Sequence, residues 1–370
     1  MSADTVMELF GSLLAGFAVS ACVTWLAIRY AQRRNLIDHP GQRRSHSSPT
    51  PRGGGIGIVV AALVLYVFEA LLLPREATPD LFACACAVAL VAAVGWIDDH
   101  GGLAARWRLL AHFAAALLVL LAPEAAGLGY FASGHPVAFA RAIVLAIALL
   151  GTVWSINLHN FMDGIDGLLA LQSLFVFLAL AALACSVGAV ADAWHLCVLA
   201  AAVAAFVPFN FPRARVFMGD VGSGALGLLI GIAVLRQMSL SGIAPLSGVV
   251  ACSAFVADAT CNLLSRMLRG RRWYSAHREH LYQWMARSGM SHGRVVAWYM
   301  GWNLFVVVPV LYAMNAGVET AAATRPLLSA WPGVAGIYAL AVALWIYGKC
   351  WCLQKVKSQR RHAAARHAAA

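Results

Sequence analysis

The stretch DGLLALQSLFVFLALAALACS, residues 166–186, decides the fold class of this chain. After Asp166 it contains no charged residue, and as a helix it is long enough to cross the ~30 Å hydrocarbon core of a bilayer. Its apolar residues form a continuous run and do not alternate with polar ones, which favours a membrane-spanning helix over a strand. The stretch therefore predicts a helical membrane protein.

Similar apolar segments recur along the whole chain, which is 61% hydrophobic and only 12% charged. An ordinary soluble domain has about 25% charged residues, so this composition excludes that class. We therefore predict an all-α, polytopic integral membrane protein with about eleven transmembrane helices. The segment 222–236 is short and 104–122 carries three polar residues, so these two deviate most from a plain apolar span. The segments other than 166–186 are 6–29, 54–73, 80–97, 104–122, 137–156, 191–209, 222–236, 243–264, 294–315 and 331–351.

The basic residues are distributed unevenly between the two sides of the predicted bundle. If the spans alternate in direction, all but four of the 27 Lys and Arg residues fall on one side, the exceptions being Arg75, Arg141, Arg236 and Arg325. By the positive-inside rule that side is cytoplasmic, so the N-terminus lies outside and the C-terminus inside. Because Asp4 before the first segment and Glu8 near its start take the place of the basic region of a signal peptide, we interpret this segment as an uncleaved helix. Residues 1–354 are then one transmembrane domain, and residues 355–370 a basic cytoplasmic tail that is disordered or bound to the membrane surface.

The net charge of +11 and the nine cysteines could suggest nucleic-acid binding, disulfides or a metal site. A basic chain often binds nucleic acid, but here the charge adjoins membrane spans, where anionic lipid headgroups explain it. We therefore expect membrane lipids and no nucleic acid as partners. The cysteines are scattered without a Cys-x-x-Cys pair, so we infer neither disulfides nor a thiolate metal site.

Acidic residues cluster at the cytoplasmic ends of the predicted spans. Taken singly, Asp166 or Asp220 could be a helix N-cap, and Asp98 with Asp99 a solvated loop end. Independent caps would fall on both sides of the membrane, whereas these acids share one side. Since ionisable groups at membrane depth are costly, we interpret them as parts of a single site. The acids are Asp98, Asp99, Asp163, Asp166 and Asp220, with Asp258 inside the ninth span left open between a packing and a site role.

Basic residues and glycines accompany these acids in the same loops. Arginine offers a planar fork that matches phosphate oxygens, and a glycine-rich helix start such as 53–55 adds backbone donors or simply permits tight packing. Gly227 and Gly231 have the spacing of a helix-packing face. Adjacent carboxylates suit Mg²⁺, so the predicted substrate is an anionic phosphate with a lipid tail. The basic residues are Arg43, Arg44, His46, Arg52, Arg213, Arg215, His277, Arg278 and His280.

Five ordered motifs resemble the polyprenyl-phosphate N-acetylhexosamine-1-phosphate transferase superfamily. The sequence His-Arg-x-His in the last large loop is similar to the branch that starts O-antigen, enterobacterial common antigen or teichoic-acid linkage units. The triple histidine of the muramyl-pentapeptide branch is absent. One departure is that His100, Gly101 and Gly102 follow the Asp pair, so no third acid or lysine stands close by. The motifs are PTPRGGG at 49–55, DD at 98–99, NLHNFMDGIDG at 157–167, FNFPRARVFMGDVGSGALG at 209–227 and HREHLYQ at 277–283.

The resemblance implies a Mg²⁺-dependent enzyme, with Mn²⁺ as a substitute, on the cytoplasmic face of a bacterial inner membrane. It would transfer an N-acetylhexosamine 1-phosphate from a UDP-sugar to undecaprenyl phosphate, releasing UMP, and the family leaves room for a homodimer. Asp220 would be the principal metal ligand and Asn160 the second. Asp98, supported by Asp99, would be catalytic near the lipid phosphate, and Asp163 is a further catalytic candidate in the nucleotide pocket. The implied substrate-binding residues are Asn157, Asp166, Phe217, His46, Arg52, His277, Arg278 and His280.

Several alternatives remain at this stage. Lipid-phosphate attack on the donor could be direct or could pass through an aspartyl phosphate, with direct displacement favoured. A muramyl-pentapeptide-type transferase or a Mg²⁺-dependent prenyl transferase would use similar acids. A proton-coupled transporter could use Asp258 and His112 as a relay, but no repeated halves are apparent. The sugar is undetermined among N-acetylglucosamine, N-acetylfucosamine and N-acetylquinovosamine.

Overall fold

Helices account for nearly all of the regular structure. The computed structural model describes residues 3–38, 49–72, 78–122, 138–271, 279–316 and 326–368. In this part of the chain the helices are α1 (Ala3–Arg33), α2 (Ile56–Leu72), α3 (Thr78–Gly101), α4 (Ala105–Leu120), α5 (Ala138–Phe161), α6 (Leu168–Ser186), α7 (Val190–Asn210), α8 (Gly219–Met238), α9 (Ser247–Ala251), α10 (Ser253–Leu268), α11 (Leu281–Arg287), α12 (His292–Trp302), α13 (Val308–Asn315) and α14 (Pro326–Ala368). A π-helical segment, Asn303–Val307, joins α12 to α13.

The predicted all-α membrane fold is confirmed. Eight helical stretches in the described part of the chain are long and apolar enough to cross a bilayer, and α2 is a shorter apolar helix. Each of the eleven predicted segments contains a helix or a pair of helices. The segment 243–264 differs most, because its helix begins only after Pro245 and is divided at Cys252 into α9 and α10. Proline lacks an amide hydrogen and therefore favours the start of a helix over its interior. The number of crossings and the orientation stay predictions.

Helix α8 lies at the centre of the bundle. Of the residues in its apolar window 83% are buried, the largest share among the candidate spans in the described chain. A Cβ atom on Gly227 would lie 2.6 Å from the carbonyl oxygen of Ser155 on α5, and the Ser155 hydroxyl donates to the Gly227 carbonyl at 2.6 Å. The predicted helix-packing role of Gly227 is therefore confirmed. The bare glycine surface lets α5 and α8 approach closely and brings their polar ends together.

A two-stranded antiparallel ladder lies beside the C-terminal end of α1. Strand β1 (Ile37–Asp38) pairs with β2 (Thr50–Pro51), with Ile37 opposite Pro51 and Asp38 opposite Thr50. The Arg52 amide extends the contact by donating to the Leu36 carbonyl at 3.2 Å. The ladder fixes where the glycine segment 53–55 enters α2.

The C-terminal segment, expected to be disordered or bound to the membrane surface, is helical in the structure. Helix α14 continues without interruption to Ala368, so residues 355–368 are helical. Lys, Arg, Gln and Ala dominate this segment, and all four have high intrinsic helix propensity. Local propensity therefore favours a helix here, and binding of this segment to the membrane surface stays a prediction.

Candidate active site

Asp99 holds the N-terminus of α8 from the end of α3. Its side chain is 3% exposed and accepts hydrogen bonds from the backbone amides of Asp220 and Val221, each at 3.1 Å. The first amides of a helix have no partner within that helix, so a carboxylate supplied by another helix can cap them and stabilise the positive end of its dipole. Asp99 thereby fixes where Asp220 lies.

Glycine is required where these backbones meet. Gly219 has φ +76°, which favours glycine, and a Cβ there would lie 2.5 Å from an Asp99 carboxylate oxygen. A Cβ on Gly95 would lie 2.4 Å from the Asp220 carbonyl oxygen. Helices α3 and α8 therefore approach so closely that any residue larger than glycine at Gly95 or Gly219 would clash. This close approach keeps Asp99 and Asp220 together.

The glycine segment 53–55 packs against the chain that precedes Asp220. The amide of Gly54 donates to the Phe217 carbonyl and that of Gly55 to the Met218 carbonyl, both at 2.9 Å. A Cβ on Gly55 would lie 2.5 Å from the Gly222 Cα. The prediction that bare glycine amides here bind phosphate is wrong for Gly54 and Gly55, because both amides are already paired. The alternative of tight packing is the correct one.

Arg108 joins Asp98 to Asp220. One of its guanidinium nitrogens lies 2.6 Å from an Asp98 oxygen and 3.3 Å from an Asp220 oxygen. The other Asp98 oxygen accepts a short hydrogen bond from the Leu103 amide. The sequence reasoning did not include Arg108 in the site. The sequence feature that could have identified Arg108 is its position as a charged residue within the otherwise apolar segment 104–122. We had interpreted that charge only as a deviation from a plain apolar span.

A second arginine reaches the group from the glycine segment. The Arg52 guanidinium lies 3.6 Å from an Asp99 oxygen, and its side chain is 38% exposed, so it can also turn toward a ligand. Arg52 was predicted to bind substrate, and the structure places it beside the acids. Together Arg52 and Arg108 provide two forks of donors suited to phosphate oxygens.

Asn160 and Asp163 bring α5 and the following loop into the same group. The Asn160 amide nitrogen donates to Asp220 at 3.0 Å and to the Ser223 hydroxyl at 2.9 Å. Burial, together with the negative charges of Asp220 and Asp99, raises the pKa of Asp163 to about 7. The predicted convergence of Asp98, Asn160 and Asp220 is thus present in the structure.

The oxygen atoms at this site suit a hard divalent cation whose coordination shell is completed by substrate phosphates. Within the described ranges no group of three or more His, Cys, Asp or Glu side chains forms a ready-made metal site. Mg²⁺ commonly binds through one or two carboxylates plus substrate phosphates, so a full protein cage is not needed. Burial is the largest cause of the raised pKa of Asp163, and the negative charges of Asp220 and Asp99 add to it, so a nearby cation would favour the ionised carboxylate. Asp220 and Asp98, with the amide oxygen of Asn160, are the residues suited to hold such an ion.

Asp166 organises the loop 210–217. Its carboxylate accepts from the Ala214 amide at 3.3 Å and lies 3.2 Å from a ring nitrogen of His292 at the start of α12. Asn210 accepts from the Gly167 amide at 2.9 Å, which ties the same two loops together. His292 is a further residue that the sequence did not single out. The predicted roles of Asp166 and Phe217 in nucleotide binding stay predictions.

The remaining predicted site residues are less directly placed. His46, His277 and Arg278 lie outside the described residues. Asn157 lies on α5, where its amide donates to the Val153 carbonyl at 2.7 Å. His280 is 2% exposed and its ring nitrogen lies 3.9 Å from Asp258. Burial lowers the pKa of His280, although Asp258 acts in the opposite direction. Diphosphate binding by His280 stays a prediction.

Comparison with known proteins places this geometry in a family. The profile of glycosyl transferase family 4 matches residues 81–238. The decaprenyl-phosphate N-acetylglucosaminephosphotransferase of Mycolicibacterium smegmatis is 32% identical over 322 residues, which cover 79% of this chain and 77% of that protein. The protein of the same name from Mycobacterium tuberculosis is 32% identical over 302 residues, covering 72% of each. The undecaprenyl-phosphate alpha-N-acetylglucosaminyl 1-phosphate transferase of Yersinia pestis is 26% identical over 347 residues, covering 90% and 89%.

The matched region contains the whole group of converging acids. Residues 81–238 include Asp98 and Asp99 on α3, Asn160 on α5 and Asp220 on α8. Similarity over more than two thirds of both chains extends beyond this core to most of the bundle. The chain therefore belongs to the polyprenyl-phosphate N-acetylglucosamine-1-phosphate transferase family, within glycosyl transferase family 4.

Proposed function

We propose that this chain transfers an N-acetylhexosamine 1-phosphate, of the N-acetylglucosamine type, from a UDP-sugar to undecaprenyl phosphate and releases UMP. The observation that supports this most directly is the meeting of Asp98 and Asp220 on one Arg108 nitrogen, with Asn160 donating to the same Asp220. Acids, an amide and a guanidinium at the polar end of an apolar bundle suit a phosphate group attached to a lipid. The names of the relatives describe the same transfer to a polyprenyl phosphate.

The reaction exchanges one phosphoanhydride for another. A lipid-phosphate oxygen forms a bond to the sugar-bearing phosphorus, and the bond from that phosphorus to the oxygen of UMP breaks, leaving the electron pair on UMP. Since a phosphate monoester has its second pKa near 6 and is mostly dianionic at neutral pH, the nucleophile needs little help from a base. Catalysis then depends on positioning and charge neutralisation.

The arginines and acids have distinct tasks in this scheme. Arg108 and Arg52 neutralise phosphate charge, and Asp98 orients the lipid phosphate. Both Asp98 oxygens already accept hydrogen bonds, from Arg108 and from the Leu103 amide, which supports an orienting role over a covalent aspartyl phosphate. We therefore propose direct in-line displacement. Mg²⁺, held by Asp220 and Asn160 with Asp98 beside them, would supply charge neutralisation at the diphosphate.

The site is proposed to face the cytoplasm of a bacterial inner membrane. The basic loops that the positive-inside rule assigns to that side are those that carry the acids. UDP-sugars are cytoplasmic compounds, so the donor would reach the site directly. Product of this kind would start the synthesis of an O-antigen or a related cell-surface polysaccharide.

The test is a donor panel with the purified full-length protein, undecaprenyl phosphate and Mg²⁺. Radiolabelled UDP-sugars should give a labelled product extractable into organic solvent, together with an equal amount of UMP. Release of pyrophosphate in place of UMP would indicate a prenyl transferase. No labelled lipid with any UDP-N-acetyl sugar, from protein that binds undecaprenyl phosphate, would contradict the proposed function.

A proton-coupled transporter is less well supported by the geometry. Its relay would need an available carboxylate, but Asp258 accepts hydrogen bonds from the Tyr299 hydroxyl at 2.7 Å and the Trp345 indole at 2.9 Å. His112 lies 3.2 Å from the Asn157 amide nitrogen on α5. Both groups are engaged in separate packing contacts, so they do not suggest a shared proton path.

A further inference from the structure

Asp258 is a buried carboxylate that the proposed reaction does not use directly. It lies on α10 with 2% of its surface exposed. A charged or polar group buried at membrane depth is costly unless it is well paired, so its retention calls for a structural or functional reason. The reason lies in what donates to it.

Four donors from three other helices converge on Asp258. The amides of Leu281 and Tyr282, the first two residues of α11, donate at 2.8 and 3.4 Å. The remaining two are the Tyr299 hydroxyl of α12 at 2.7 Å and the Trp345 indole of α14 at 2.9 Å. Asp258 thus caps α11 from outside that helix, as Asp99 caps α8.

Helix α11 depends on such external support. It has only seven residues, and isolated helices shorter than about 12–15 residues are marginal in water. Its position is also held just upstream, where the Glu279 carboxylate lies 3.1 Å from Arg266 and 2.8 Å from Arg271. Since Arg266 is on α10 as well, one helix anchors both the entry and the first turn of α11.

Tyr282 connects α11 to the candidate active site. Its hydroxyl donates to the Phe161 carbonyl at 2.9 Å, at the end of α5 directly after Asn160. A Cβ on Gly164 would lie 2.1 Å from the same hydroxyl oxygen, so the loop 161–167 rests on the tyrosine without intervening space. This loop carries Asp163 and Asp166, so a shift of Tyr282 would disturb the backbone that positions them.

We propose that Asp258 is a positioning residue of the transferase, which holds α11 so that Tyr282 fixes the loop 161–167 and with it Asp163. The proposal rests on the proposed function for its link to catalysis, but its structural step can be tested separately. Asp258 itself need not touch substrate. Tyr299 and Trp345 contribute to the same positioning, because their hydrogen bonds orient the Asp258 carboxylate toward the amides of α11.

The structural step is tested with Tyr299→Phe and a matched control, Tyr338→Phe. Both changes remove one hydrogen-bonded tyrosine hydroxyl, but the half-buried Tyr338 donates to the Val249 carbonyl at 2.8 Å, whereas Tyr299 donates to Asp258. Amide hydrogen exchange of residues 281–287 and 161–167 should accelerate in Tyr299→Phe and in Asp258→Asn, and should match wild type in Tyr338→Phe. Equal exchange of both segments in all four proteins would overturn the proposal.

The catalytic link is tested by separating KM from kcat. Losing a hydrogen bond to a carboxylate should raise the KM for the UDP-sugar about tenfold in Tyr299→Phe, with kcat changed less than about twofold. A purely structural role would reduce the fraction of active enzyme, and so the apparent kcat, while KM stayed constant. That second pattern would refute the positioning role even if the exchange rates rose.

Failure of the proposed function would give a different result. Wild-type protein would then form no labelled lipid with any donor, while hydrogen exchange would still report whether Asp258 holds α11 and the loop 161–167. Trp345→Phe provides a further variant should Asp258→Asn fail to fold, because it removes a single donor and keeps the aromatic packing.

Discussion

At the residue scale, the central feature is the surplus of carboxylates around Asp220. Asp98 and Asp220 share Arg108, and Asp99 lies 3.6 Å from Arg52. Burial, with the charges of Asp220 and Asp99 as smaller causes, raises the pKa of Asp163 to about 7. Such crowding is unfavourable unless a cation or a bound ligand balances it, and a divalent ion with diphosphate would do so. We therefore expect substitutions of Asp220 and of Arg108 to lower activity in different ways.

Asp220→Asn should nearly abolish turnover. The change removes a negative charge that we assign to metal binding, and loss of such a group typically lowers the rate by about a hundredfold or more. UMP release measured over a range of Mg²⁺ concentrations gives the effect. Asp80→Asn, at the opposite end of α3 from Asp98, is the matched control and should retain activity. Normal turnover of Asp220→Asn at saturating Mg²⁺ would remove Asp220 from the site.

Arg108→Gln should lower kcat/KM about a hundredfold, whereas Arg108→Lys should lose less. A single Arg108 nitrogen contacts both Asp98 and Asp220, so an ammonium group can replace part of that contact. The control is Arg106→Gln, because Arg106 lies over the Trp107 ring and makes no described contact with the acids. Steady-state kinetics for both substrates distinguish the variants. Equal rates for Arg106→Gln and Arg108→Gln would show that the contact does not matter.

At the element scale, the site is built from helix ends that meet without side chains between them. Hydropathy predicts the helices well, since each apolar run must satisfy its backbone groups internally. It does not predict that Asp99 caps α8 or that Gly55 abuts Gly222, because such contacts depend on how distant helices pack. The sequence also did not predict the ladder of β1 and β2, because strands of only two residues leave no recognisable pattern.

Gly55→Ala should destabilise the protein by about 1–3 kcal/mol, the usual cost of forcing an atom into a packed core. Its Cβ would lie 2.5 Å from the Gly222 Cα and 2.9 Å from the Met218 carbonyl oxygen, both backbone atoms that cannot easily move. Gly336→Ala is the control, because nothing lies within 4 Å of a Cβ at that position of α14. Thermal unfolding in detergent compares the two. A midpoint for Gly55→Ala equal to that of Gly336→Ala would mean that α2 and α8 separate without cost.

At the scale of the whole molecule, polar groups divide between the two ends of α8. The helix has 20 residues, and at 1.5 Å per residue it spans about 30 Å, the thickness of a hydrocarbon core. Asp220 stands in its first turn and Arg236 in its last, where Arg236 pairs with Asp192. At the far end Arg236 is thus balanced by its own ion pair, whereas Asp220, which shares Arg108 with Asp98, belongs to the group of acids at the other end. We therefore expect negatively charged substrates and a divalent ion to bind at the end of the bundle that carries Asp220.

The orientation of that face can be measured with reporter fusions. If the basic loops are cytoplasmic, green fluorescent protein after the C-terminal helix should fluoresce, and alkaline phosphatase at that place should be inactive. Fusion of phosphatase after Gly188, between α6 and α7, should be active, since this connection lies at the other end of the bundle from the loop 161–167. The reverse pattern would place Asp98 and Asp220 on the outer face, away from cytoplasmic UDP-sugars. The proposed reaction requires the first pattern, because donor and acids must meet at the same surface.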